Sequence, residues 1–162
     1  MVKSSDDGDE TGRHESASCA CGPRCEPSAS TNGQRVLPIV WQRLVTDGAT
    51  CPRCGSTETQ VEQAVTTLTE VLRPLGIEPR LEARALDQAE FERSPGESNR
   101  VYIAGRALED WVGASVGASE CCSVCGGNDC RTVEVEGRTF EVIPGQLIVK
   151  AGLAAAASLL DA

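Results

Sequence analysis

A long amphipathic helix between two apolar segments restricts the possible folds of this chain more than any other feature. The first segment, "RVLPIVWQRLV" at 35–45, is rich in β-branched and aromatic residues and predicts a strand. The second, "IEPRLEARAL" at 77–86, predicts another strand. One apolar helical face spans the residues between them, at three- and four-residue steps: Val61, Val65, Leu68, Leu72 and Leu75. Because a helix connects the two strands, we expect them to pair in parallel.

Later segments add antiparallel structure to this parallel unit. A short strand is predicted at Val101–Ala104, a hairpin around the Glu136-Gly137 turn, and a final helix from Gly145 to about Leu160. Glu109 and Asp110 are expected on a solvated surface. This order of elements predicts a compact α/β sandwich.

The first 34 residues differ from the rest in composition. They are rich in Ser, Asp, Glu and Gly, so residues 1–34 are predicted to form a disordered acidic tail and residues 35–162 the folded domain. The tail contains potential soft-metal ligands: His14, Cys19, Cys21 and Cys25. These could capture copper(I), zinc or mercury(II), or they could be incidental.

Charge and hydropathy exclude several partner classes. The net charge is −9, which argues against binding to nucleic acid or to an anionic membrane. "MVKSSDDGDE" lacks the apolar stretch of a secretory signal, and "LIVKAGLAAAASLL" is shorter than a membrane span. We therefore expect a cytoplasmic protein without a membrane partner. Cysteines in that reducing compartment serve metal or redox chemistry more often than structural disulfides.

Cys51 and Cys54, in "CPRC", allow two interpretations. In the first they form a redox pair at a helix N-terminus, where the helix dipole favours thiolate; Cys51 is the exposed attacking thiolate and Cys54 the resolving thiol. In the second, "CPRCG" and the later "CSVCGG" are two zinc knuckles that together form a four-cysteine site. The two motifs lie much further apart than the roughly 15–20 residues of an ordinary zinc ribbon.

The second cysteine cluster consists of Cys121, Cys122, Cys125 and Cys130. We interpret these four as candidate ligands of zinc or of another thiophilic metal, including an iron–sulfur centre. The same cysteines could form a second disulfide that exchanges with Cys51, or a local clip that holds a loop.

Three features together resemble the thioredoxin-like superfamily: the apolar strand that leads into CPRC, the long helix that follows, and "SNRVYIAGRALEDWVGA" as a third strand and turn. With the Cys-Cys-x-x-Cys-Gly-Gly loop, the pattern resembles a small prokaryotic family of such proteins. The resemblance implies a thioredoxin-like sandwich, with a mixed sheet of about four strands, flanking helices and a Cys-rich loop. Ser98-Asn99 stands where thioredoxin-like enzymes have a cis-proline beside their active cysteines.

The function implied by the resemblance is thiol–disulfide exchange through the CPRC dithiol, with a protein or a small-molecule thiol as partner. The alternative is a metal-binding protein that holds structural zinc or a soft heavy metal. His14, the one histidine of the chain, lies in the tail, which leaves the domain without a Ser–His or Cys–His pair and argues against a hydrolase.

Overall fold

The computed structural model describes residues 34–121 and 125–161, so the predicted disorder of the tail and the position of Cys122 lie outside the described residues. The helices are α1 (Pro52–Leu72), α2 (Gln88–Arg93), α3 (Leu108–Val112) and α4 (Gly145–Leu160). The strands are β1 (Arg35–Leu44), β2 (Ile77–Leu86), β3 (Arg100–Ile103), β4 (Arg106–Ala107), β5 (Ser115–Glu120), β6 (Asp129–Val135) and β7 (Arg138–Phe140). Within the described residues, no helix has both the length and the apolarity needed to cross a bilayer.

A mixed sheet of four strands carries α1 and has the order β2-β1-β3-β4. Strands β1 and β2 are parallel along their whole length, from Arg35 opposite Ile77 to Leu44 opposite Leu86. Strand β3 is antiparallel to β1, and the short β4 is antiparallel to β3. The predicted mixed α/β architecture, with its parallel β1–α1–β2 unit, is therefore confirmed.

The core lies between this sheet and the helices α1 and α4. Strand β1 alternates, and its inward residues Leu37, Ile39 and Trp41 are buried. They belong to one apolar cluster with the predicted face of α1, except that Leu75 falls in a 3₁₀ turn after the helix and is half exposed. Gly152 of α4 allows close packing on α1, since a Cβ atom there would lie 2.5 Å from Leu68 Cδ1.

Helix α1 begins at Pro52, with Cys51 as its N-cap. In the first half of this helix, the side chains of Thr57 and Gln60 contact the segment that leads into α4. Thr57 Oγ1 accepts a hydrogen bond from the Ile143 amide at 3.2 Å, and Gln60 Oε1 accepts one from the Gly145 amide at 2.9 Å. They therefore tie the start of α4 to α1.

A second, three-stranded sheet has the order β5-β6-β7. The predicted hairpin is present as β6 and β7, but it pairs with β5 and not with the first sheet. The register places Glu120 opposite Asp129 and Ser119 opposite Cys130. Because Cys121 directly follows Glu120, both ends of the second cysteine cluster lie at the same end of this sheet.

A buried ionic network connects the second sheet to α3 and β3. Glu109, expected on a solvated surface, is instead buried and paired with Arg131 of β6. Arg100 Nη2 lies 3.3 Å from the same carboxylate and also pairs with Glu97. Arg131 Nη1 donates to the Gly96 carbonyl at 3.2 Å. The network therefore fixes β6 against the loop that precedes Ser98.

Candidate functional site

Cys51 lies at the junction of the loop after β1 and the start of α1. Its Sγ accepts a hydrogen bond from the Cys54 amide at 3.5 Å, which is the N-cap interaction of α1. Thr50 Oγ1 donates to the Leu44 carbonyl at 2.8 Å and holds this loop against the end of β1. Only 3% of Cys51 is exposed, so the expectation that this residue lies exposed is wrong, whereas its role as the attacking thiol stays a prediction. Cys121 of the second cysteine cluster packs against this side chain.

The second cluster approaches Cys51 through Cys121. Cys121 Sγ lies 3.9 Å from Cys51 Sγ and 3.3 Å from Cys125 Sγ. Cys130 Sγ lies 3.4 Å from Cys125 Sγ. The turn after Cys125 is closed by Asn128, whose backbone amide and side-chain amide both donate to the Cys125 carbonyl at 3.1 Å. The sulfurs thus form a continuous series from α1 to β6.

Three of these sulfurs form a group that could hold a metal ion. The Sγ atoms of Cys51, Cys121 and Cys125 all lie within 4.8 Å of one another. Tetrahedral coordination with Zn–S bonds of about 2.3 Å requires sulfur–sulfur separations of about 3.8 Å. Two of the three separations, 3.3 and 3.9 Å, are close to this requirement, and the third is below 4.8 Å. The donor set therefore fits a thiophilic cation in size and in chemistry.

Cys54 takes a different position from the other cysteines. It is buried, and its Sγ lies 3.8 Å from the hydroxyl of Ser98. That hydroxyl accepts a hydrogen bond from the Leu44 amide at 3.0 Å. The structure thus places Ser98 beside a CPRC cysteine. Asn99, the next residue, adopts the left-handed conformation with φ of 56° and donates from Nδ2 to the Glu141 carbonyl.

Burial keeps several of these thiols protonated. Desolvation, followed by the charge of nearby Cys51, raises the pKa of Cys54 to about 12. Desolvation and the contact with Cys121 raise the pKa of Cys130 to about 12, and the same two causes raise the pKa of Cys125 strongly. These groups are therefore uncharged thiols at neutral pH, and a metal ion must displace their protons in order to bind.

Arg53, between the two cysteines of CPRC, brings a positive charge to the site. Its Nη2 donates to the Glu120 carbonyl at 2.9 Å, directly before Cys121, and lies 3.0 Å from Glu141 Oε1. The Arg53 side chain is 10% exposed, whereas that of Glu141 is 56% exposed. Arg53 Nη1 is buried and has no hydrogen-bond partner among the described residues. In the sequence, the only signal that Arg53 belongs to the site is its position between Cys51 and Cys54.

A protein family described as "Domain of unknown function (DUF2703)" matches residues 37–152, which is more than half of the chain. The chain belongs to the DUF2703 family. It is also 48% identical over 112 residues to an uncharacterised protein of Archaeoglobus fulgidus, a stretch that covers 69% of this chain and 82% of that protein. No solved structure matches.

The segment shared with DUF2703 contains the whole cysteine site. All of the cysteines from Cys51 to Cys130 fall within residues 37–152, whereas the tail residues His14 to Cys25 fall outside that segment. Of the predicted site residues, the structure brings Cys51, Cys121 and Cys125 together and places Cys130 beside them. Cys54 lies next to this group, against Ser98.

Proposed function

We propose that this protein binds a thiophilic metal ion through Cys51, Cys121 and Cys125. One observation carries the proposal: cysteines 70 residues apart in the chain bring their sulfurs together, with all three Sγ atoms within 4.8 Å of one another. A redox dithiol needs only the two cysteines of CPRC. Recruitment of the second cluster onto Cys51 is what a shared ligand set requires.

The chemistry of the donors supports a soft cation. Thiolate sulfur favours zinc, cadmium, mercury and copper(I) over the hard ions magnesium and calcium, which take oxygen ligands. Cys51 and Cys125 are buried, so their thiolates would be shielded from water once an ion is bound. Cys130, at 3.4 Å from Cys125, is placed to serve as a further ligand.

The test is metal uptake by the full chain in which Cys19, Cys21 and Cys25 are changed to serine, so that the tail adds no sulfur ligands. Native mass spectrometry after titration with cadmium or zinc is expected to show one tightly bound ion. Changing Cys51, Cys121 or Cys125 to serine, one at a time, should remove it. Uptake of no ion by the parent chain, or uptake insensitive to all three substitutions, would show that the proposal is wrong.

Thiol–disulfide exchange is the second candidate, and the arrangement around CPRC favours it. Three observations support this candidate: the strand order β2-β1-β3-β4, a CPRC at the start of the helix after β1, and Ser98 beside Cys54. In this reaction a protein or small-molecule disulfide accepts two electrons. Its S–S bond breaks, a bond forms between Cys51 and Cys54, and the two thiol protons pass to the leaving thiolates. A reducing, cytoplasmic setting would return the pair to thiols.

Cys54→Ser separates the two candidates, because Cys54 belongs to the dithiol but lies outside the group of three sulfurs. Metal binding predicts that this variant keeps its cadmium affinity, with Cys51→Ser as the matched loss-of-binding control. Redox chemistry predicts that both variants lose the reduction of a model disulfide such as oxidised glutathione. A Cys54→Ser protein that loses cadmium while it retains its fold would refute the three-sulfur assignment.

A further inference from the structure

Arg53 is a largely buried cation whose position links both cysteine segments. It lies within CPRC, and its guanidinium donates to the carbonyl directly before Cys121. Its ion-pair partner, Glu141, is 56% exposed, so water screens much of that attraction. Arg53 Nη1 is buried without an acceptor in the described part of the chain. A buried guanidinium in this state would be stabilised by further negative charge nearby.

Metal binding creates negative charge at this place, in an amount set by the valence of the ion. Three thiols that bind a divalent ion release three protons and leave a complex of charge −1. Three thiols that bind arsenic(III), supplied as As(OH)₃, form three As–S bonds and release three water molecules, which leaves a neutral complex. The guanidinium therefore attracts the first complex and not the second. The partial positive charge at the N-terminus of α1 acts in the same direction.

We propose that Arg53 is a specificity-determining residue that matches the site to divalent thiophilic cations, whose complex with Cys51, Cys121 and Cys125 carries one negative charge. This inference rests on the proposed metal-binding function. It defines the class of ion as divalent and sulfur-seeking, such as zinc, cadmium or mercury. Arg53 acts on the bound ion through its charge and is not itself a ligand.

The experiment compares cadmium and arsenite dissociation constants for the full chain, with the three tail cysteines changed to serine in every variant. Arg53→Gln is expected to weaken cadmium binding about 10–100-fold, the usual effect of removing a group just outside the ligand set. Arsenite binding is expected to change less than about threefold, because its complex is neutral. Arg53→Lys, which keeps the charge but loses the planar fork, should restore most of the cadmium affinity.

Two controls separate a charge effect from a structural one. If Arg53 only held the Glu120 backbone in place, Arg53→Gln would weaken cadmium and arsenite binding equally, and that result would overturn the inference. Glu141→Gln removes the exposed anion and keeps Arg53, so the cadmium-to-arsenite affinity ratio should stay at or above that of the parent. A fall in this ratio similar to that of Arg53→Gln would also overturn it.

Failure of the inference is distinguishable from failure of the proposed function. A parent chain that binds neither cadmium nor arsenite contradicts the metal site itself. A parent chain that binds both, with a ratio that Arg53→Gln leaves unchanged, contradicts only the role of Arg53.

Discussion

The buried pair of Glu109 and Arg131 offers the sharpest test of the structure. Four groups form the network: the carboxylates of Glu97 and Glu109 and the guanidiniums of Arg100 and Arg131. Their formal charges cancel. Glu109→Gln leaves a net positive charge around Arg131, whose side chain is only 5% exposed. Removing one partner of a buried ion pair typically costs 3–5 kcal/mol, so we expect a loss of about 3 kcal/mol, since glutamine still offers an acceptor.

The assay is urea unfolding at neutral pH, with a reductant and a chelator present so that neither disulfides nor metal contribute. Glu78→Gln is the matched control, because its partner Arg80 lies 3.6 Å away in a pair whose side chains are 42% and 65% exposed. A surface pair of this kind contributes about 0–1 kcal/mol. The double variant Glu109→Leu with Arg131→Met should recover most of the lost stability, because it removes both charges together.

A different pattern would refute this reasoning. If Glu109→Gln cost no more than Glu78→Gln, the carboxylate would not be balancing a buried charge. If the double variant were less stable than Glu109→Gln alone, hydrogen bonds of Arg131, such as the one to Gly96, would be the dominant contribution.

Three further predictions concern other parts of the molecule. Gly152→Ala should destabilise the protein by about 1–3 kcal/mol in urea unfolding, because the new methyl group meets the fully buried Leu68. The control Gly55→Ala has no such neighbour within 4 Å and should be neutral or stabilising by up to about 1 kcal/mol. The reduced, metal-free protein should lose stability as the pH rises from 9 to 12, by up to about 1.4 kcal/mol per pH unit per thiol. The reason is that the folded-state pKa of Cys54 and Cys130 is about 12 against an ordinary 9.0, so the unfolded chain loses these protons first. Cys54→Ala should flatten the slope of stability against pH, and an unchanged slope would contradict the pKa shift. Glu136→Asn should stabilise by about 0.5–1 kcal/mol, because residue 136 has a φ of 53° in a two-residue hairpin turn that favours asparagine; a loss of stability would contradict that turn.

Local patterns in the sequence predicted the first sheet well. The run of β-branched and aromatic residues predicted β1, and the periodic apolar face predicted α1. The connecting helix then required β1 and β2 to be parallel, so each signal lies in neighbouring parts of the chain. Strand β5 was missed for a physical reason. "SVGASE" has no apolar alternation because its residues are almost all exposed, and it is held as a strand by hydrogen bonding to β6.

The candidate site was predictable in its residue types but not in its grouping. Each cysteine motif has a recognisable spacing, yet the approach of Cys121 to Cys51 depends on how the second sheet packs against the start of α1. The burial of Cys51 and Glu109 has the same origin, because in both cases the covering group comes from a distant segment. Short-range periodicity carries no information about such contacts.

The separation of Cys51 and Cys121 along the chain has a consequence for how fast the protein is degraded in a cell. An ion that joined them would act as a removable cross-link around a loop of 70 residues. In the chain-entropy description, a permanent link of that length stabilises the folded state by about 4 kcal/mol. A metal link adds such a constraint only while the ion is bound, so the loaded chain would open less often to proteases than the empty one. The lifetime of the protein in a cell would then follow the supply of the metal.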